Sequence, residues 1–187
     1  MAEAGCLKDG SFQNLQVGGT LIGNKKPVTN ITGTTTVLLE SQSGTMFTIN
    51  VTDAATITLP EISATNIGTY YEFFLGTENT NGVDILTATT HDTTGDTFVG
   101  ALQIGINAAW GASDAQDDGV FYLLPGGDDN QINMTGTEAN GGGEVGSYLR
   151  CVAISYSSSG HSTWHVTGVI GTDDPDGTGA AIFVDRD

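Results

Sequence analysis

Met46-Phe47-Thr48-Ile49-Asn50-Val51 puts apolar side chains at every second position, Phe47, Ile49 and Val51, and so predicts a strand with one buried face. Thr56-Ile57-Thr58-Leu59 repeats the pattern and ends at Pro60, which has no N–H for a ladder bond. In Tyr70-Tyr71-Glu72-Phe73-Phe74-Leu75, Tyr71, Phe73 and Leu75 share one face and Tyr70, Glu72 and Phe74 the other. Asn81-Gly82 suits a tight hairpin before Val83-Asp84-Ile85-Leu86. Further strands are expected at 98–104, 120–124, 131–134, 147–155 and 163–167, with turns at Gly95-Asp96, Pro125-Gly126-Gly127-Asp128 and Asn140-Gly141-Gly142-Gly143. Only the stretch from Ala101 to Ala112 suits a short helix, and Gly105 and Gly111 count against a long one.

Many short strands without alternating helices predict an all-β chain, a β-sandwich or jelly-roll-like domain of short antiparallel strands. Its expected core is Phe47, Ile49, Ile57, Leu59, Tyr71, Phe73, Val152 and Trp164. The β domain is expected over residues 34–170. Residues 1–33 read as an N-terminal arm for oligomerisation or docking, because their apolar residues are too interrupted by glycine to form a core alone. Residues 171–187 read as an acidic linker, Gly171 to Gly177, followed by a docking tail around Ile182, Phe183 and Val184 that suits an open sheet edge.

The chain carries 22 Asp+Glu against 5 Lys+Arg, a formal net charge of −17, which excludes binding to nucleic acid through phosphate neutralisation. Its polar surface is built from Thr, Ser, Asn and Gly, since charged residues are only 14% of the total. Cys6 and Cys151 match no metal or redox spacing and are read as free thiols, with a disulfide between them left open. The opening Met1-Ala2-Glu3-Ala4-Gly5 lacks the layout of a signal peptide and no apolar run is long enough to span a bilayer, so cytoplasmic synthesis and no membrane partner are expected.

The sequence offers no catalytic constellation. His161 and His165 have a metal-binding spacing only on a helix, whereas Ser157-Ser158-Ser159-Gly160 and Trp164-His165-Val166 read as a turn and a strand; His91 lies in a Thr/Asp-rich turn. Asp174-Pro175-Asp176-Gly177, with Asp185 twelfth from Asp174, resembles the start of a calcium loop, but Thr178 at the fifth position and Asp at the twelfth break the pattern. Asp114, Asp117, Asp118, Asp128 and Asp129 form further acidic turns. No Gly-x-Ser-x-Gly elbow or phosphate loop occurs, so no enzyme activity and no cofactor are expected.

Three segments, Ser41-Gln42-Ser43-Gly44-Thr45-Met46-Phe47-Thr48-Ile49, Ala55-Thr56-Ile57-Thr58-Leu59-Pro60 and Gly68-Thr69-Tyr70-Tyr71-Glu72-Phe73-Phe74, followed later by Trp164-His165-Val166-Thr167-Gly168, resemble a β module of tailed-phage virion proteins. The likeness spans about residues 34–168 and is similar to capsid decoration proteins and to appendage or fibre proteins, including those of phages of marine bacteria. Asn14-Leu15-Gln16-Val17-Gly18-Gly19-Thr20-Leu21 resembles segments that lead into trimeric fibre and knob domains.

The resemblance implies a structural protein on the virion exterior that binds the major capsid protein or other virion proteins and forms a homo-oligomer, a trimer. The alternative it leaves is a tail-fibre or lectin-like module for host glycan, with Trp110 to Asp118 as the contact. The contact residues expected for the first reading are Phe12, Leu15, Val17, Leu21, Ile22, Lys25 and Lys26 in the arm and Ile182, Phe183 and Val184 in the tail.

Overall fold

The computed structural model describes residues 26–88, 95–106, 121–123, 125–135, 141–172 and 182–186. The chain forms strands β1 (Val28–Ile31), β2 (Thr35–Val37), β3 (Met46–Ile49), β4 (Ala55–Thr58), β5 (Tyr70–Leu75) and β6 (Val83–Leu86). They are followed by β7 (Asp96–Ile106), β8 (Phe121–Leu123), β9 (Gln131–Met134), β10 (Tyr148–Ser155), β11 (Ser162–Thr172) and β12 (Phe183–Val184). One sheet has seven strands in the order β1-β3-β5-β10-β11-β7-β8, the other five in the order β12-β9-β6-β4-β2. The two pack together as the expected all-β sandwich.

Alternation sets which side chains lie between the sheets. Phe47, Ile49, Ile57, Leu59, Tyr71, Phe73 and Trp164 are all buried there, joined by Leu75, Val83, Ile85, Phe98, Leu102 and Val166. The Phe47 and Phe73 rings stack at 5.9 Å, and Tyr71 meets Trp164 at 6.0 Å. Val152 is a correction. Leu149, Cys151 and Ala153 are the buried residues of β10, and Val152 lies on the outer face between Tyr70 and His165. A strand apolar at several successive positions does not reveal its inner face from pattern alone.

The expectation of antiparallel strands is corrected, because the pairing combines both directions. β1–β3, β3–β5, β2–β4, β4–β6 and β7–β11 are parallel; β5–β10, β10–β11, β7–β8, β6–β9 and β9–β12 are antiparallel. For four of the five parallel pairs, all but β7–β11, the cause lies in the path from β1 to β6. Odd strands enter the seven-stranded sheet and even strands the five-stranded one, so the chain winds around the core and returns to each sheet running the same way.

Asn81-Gly82 is accordingly a corner between sheets and not a hairpin. Gly82 takes φ 99°, and the buried Asn79 side chain accepts the N–H groups of Asn81 and Gly82 while donating to the carbonyls of Val51 and Asp53.

The segment considered for a helix is strand as far as Ile106, held along its length by parallel pairing with β11; positions 107–112 lie outside the described residues. Regular structure also begins ahead of the expected domain start, since Val28–Ile31 already pairs with β3, and β11 continues through Gly171 and Thr172.

Candidate interaction surface

The outer face of the seven-stranded sheet carries rows of side chains set by register. One row runs Val28, Met46, Glu72, Arg150, Thr167 and Ala101 across six strands. The next row places Phe74 beside Tyr148 and Tyr148 beside Val169.

At the centre of this face, Arg150 lies over the Tyr70 ring, 4.5 Å from its centroid, and Lys26 Nζ lies 5.9 Å from the same centroid. Lys26 also forms an ion pair with Glu72, which is only 7% exposed although it points away from the core. The Tyr148 hydroxyl hydrogen-bonds Glu72; burial, followed by the Glu72 charge, pushes the phenol above its ordinary pKa. Arg150 Nε is buried without a hydrogen-bond partner. A guanidinium over an aromatic face gains about 0.5–1 kcal/mol when exposed and more when water is excluded.

Among the described outward positions of β1, β3, β5, β7, β10 and β11, Glu72 is the only acidic residue. Two of the chain's five Lys+Arg stand here, on a protein of net charge −17. The arrangement presents aromatic and aliphatic area around a guanidinium with spare donor capacity, which suits a carboxylate-bearing surface.

The sequence-predicted contact residues fall in three places. Phe12, Leu15, Val17, Leu21, Ile22 and Lys25 lie outside the described residues. Lys26 stands on the outer face but faces Glu72 of its own chain. Ile182 and Phe183 are buried, and Val184 pairs with Gln131, so the expected docking of the tail takes place on β9 of the same chain. Arg186 fastens this end by donating to Asn130 Oδ1 and the Thr87 carbonyl.

Tyr70, Glu72, Tyr148 and Arg150 were missed as a group because two strands bring them together from positions almost 80 residues apart in the chain. The available signal was local: an arginine inside an apolar alternating strand of a chain poor in basic residues.

Other candidates for chemistry are dispersed. His165 points outward from β11, and His161 precedes that strand, with Nδ1 at the Gly95 carbonyl and Nε2 3.6 Å from Asp128. Four residues of extended chain separate the two rings' attachment points by about 13 Å. Among the described residues no three His, Cys, Asp or Glu side chains gather as a metal site. Asp129 accepts the Gly126 N–H within its own turn, and Asp185 accepts from Asn130. Asp174 to Thr178, Asp114, Asp117, Asp118, the stretch from Trp110 to Asp118 and His91 lie outside the described residues. Cys151 is a free, buried thiol whose pKa burial pushes up, and Cys6 lies outside the described residues. No family model, curated protein or solved structure matches this chain.

Proposed function

We propose that this chain is a non-enzymatic structural module that decorates the exterior of a tailed-phage capsid, associating with copies of itself and binding the major capsid protein. The observation that carries the reading is the outer face of the seven-stranded sheet. There, Arg150 and Lys26 flank Tyr70 within an acid-poor aromatic surface, on a chain whose remaining charge is overwhelmingly negative. Such a face favours one acidic partner surface, while the net negative charge discourages indiscriminate contacts. The resemblance of β3, β4, β5 and β11 to virion modules supplies the setting.

The test uses the full chain and purified particles that lack it. Wild-type protein should bind such particles saturably, and Arg150→Glu should bind at least about tenfold more weakly with an unchanged circular dichroism spectrum. Absence of wild-type binding overturns the virion setting. Undiminished binding by the variant removes the outer face from the contact.

A further inference from the structure

The strands β1 and β2 are consecutive in the chain, and each is the outermost strand of its sheet, so together they form one end of the sandwich that no other strand covers among the described residues. The directions of their outward backbone groups follow from the inner ladder. The carbonyls of Pro27 and Ile31 accept from Met46 and Asn50 N–H at 2.9 Å, so the alternate residues Val28 and Asn30 direct their N–H and C=O away from β3. On β2, Thr34 O accepts from Thr56 and Leu38 N–H donates to Thr58 O, both at 2.9 Å, which leaves the groups of Thr35 and Val37 directed away from β4.

Natural sheet edges are usually guarded by lysine, proline, a bulge or an inward charge. Lys26 and Pro27 stand just before β1 and both strands are short, but within Val28–Ile31 and Thr35–Val37 themselves there is no charged residue, no proline and no break in register. Instead, the three most exposed large hydrophobic residues among those described stand at this end: Val28 at 65%, Val37 at 64% and Leu39 at 60%.

Charge argues for the identity of the occupant. Residues 26–39, which make up this end, contain no Asp or Glu, whereas the whole chain has 22. Two copies, each at −17, repel through their acidic surfaces and approach with least cost where those charges are missing. A two-fold axis lying across this end reverses strand direction, so it can set β1 against β1 and β2 against β2 of the second copy, antiparallel in both sheets at once.

We propose that the open end formed by β1 and β2 is an interface at which a second copy of this chain adds edge to edge, making both sheets continuous across a two-fold axis. It rests on the self-association in the functional reading above, gives it a two-fold contact in place of the trimer that the resemblance implies, and does not depend on the capsid partner.

The experiment is light scattering of the full chain through the micromolar range, with amide hydrogen exchange of Val28, Asn30, Thr35 and Val37. The expected result is a mass of two chains, or an even multiple, with these amides protected in the assembly and released on dilution to monomer. The doubly substituted Val28→Lys, Val37→Lys chain should dissociate at least about tenfold more readily; both side chains are exposed, so its thermal midpoint as a monomer should match wild type. A monomeric wild type, a three-chain mass, or a substituted chain that assembles as before would each overturn the proposal. Protection that persists in the diluted monomer would also do so, because the edge would then be covered within one chain. A two-chain mass with no binding of wild-type protein to particles would overturn the capsid reading and leave this proposal standing, whereas saturable particle binding by a wild-type chain of one-chain mass would overturn this proposal alone.

Discussion

Asp96, buried at the start of β7, accepts the Ile62 backbone N–H at 3.0 Å and so ties the segment after β4 to the far side of the seven-stranded sheet. Burial raises its pKa to about 6 from an ordinary 3.8, against the lowering effect of the Ile62 N–H; the nearby Glu61 charge adds to the rise and the Trp164 side chain opposes it.

The sign follows from proton binding. Between pH 3.8 and about 6 the folded chain holds a proton on Asp96 that the unfolded chain has lost, so this group's contribution is greatest below pH 3.8 and is lost as pH rises through about 6. A shift of this size corresponds to about 2–3 kcal/mol. Urea unfolding of wild type and Asp96→Asn at acid and neutral pH should show the substituted chain gaining that much relative to wild type on going to neutral pH. A pH-independent difference between the two would refute the assignment.

Phe73→Ala and Trp164→Ala should each destabilise by about 3–5 kcal/mol, because both side chains are fully buried in the aromatic cluster between the sheets. Val152→Ala should cost much less, about 1 kcal/mol or below, since that side chain is on the outer face. Chemical denaturation midpoints compare the three directly, and equal costs would mean that Val152 faces inward after all.

Gly100 has φ 119°, and a Cβ on it would lie 2.1 Å from the Val166 carbonyl oxygen of the paired strand β11. Gly100→Ala should therefore lower the melting temperature sharply or prevent folding, as two backbones would have to separate. At Gly127 a Cβ meets nothing within 4 Å, and alanine there should leave the midpoint within about 0.5 kcal/mol of wild type. Calorimetry of the pair distinguishes backbone crowding from a general loss of glycine flexibility.

Removing residues 182–187 should destabilise the fold in addition to any effect on assembly. Phe183 is buried, its ring 6.5 Å from that of Phe98, and β12 covers the edge of β9. Phe183→Ala alone should cost about 3 kcal/mol. A truncated chain as stable as wild type, measured by urea unfolding, would show that this end contributes no packing.

The sequence by itself determined the positions of β3 to β11, though not those of β1 and β2, and most of the inner faces. In Phe47/Ile49, Ile57/Leu59 and Tyr71/Phe73/Leu75, burial repeats every second residue, and that rule acts within a few residues of chain. It also determined that the ends of these strands are turns, because glycine, asparagine and proline restrict or free the backbone locally. Only the tertiary structure decided which strands meet. An Asn-Gly pair reverses the chain equally well in a hairpin or at a corner between sheets, so the parallel winding from β1 to β6 has no local signature. Phe183 has the same composition signal for docking on a neighbour or on β9, and the free edge beside its own core decided for β9. The Arg150–Tyr70 contact likewise required β5 and β10 to pair, since a cation reaches an aromatic face only when register places them on adjacent strands of the same surface.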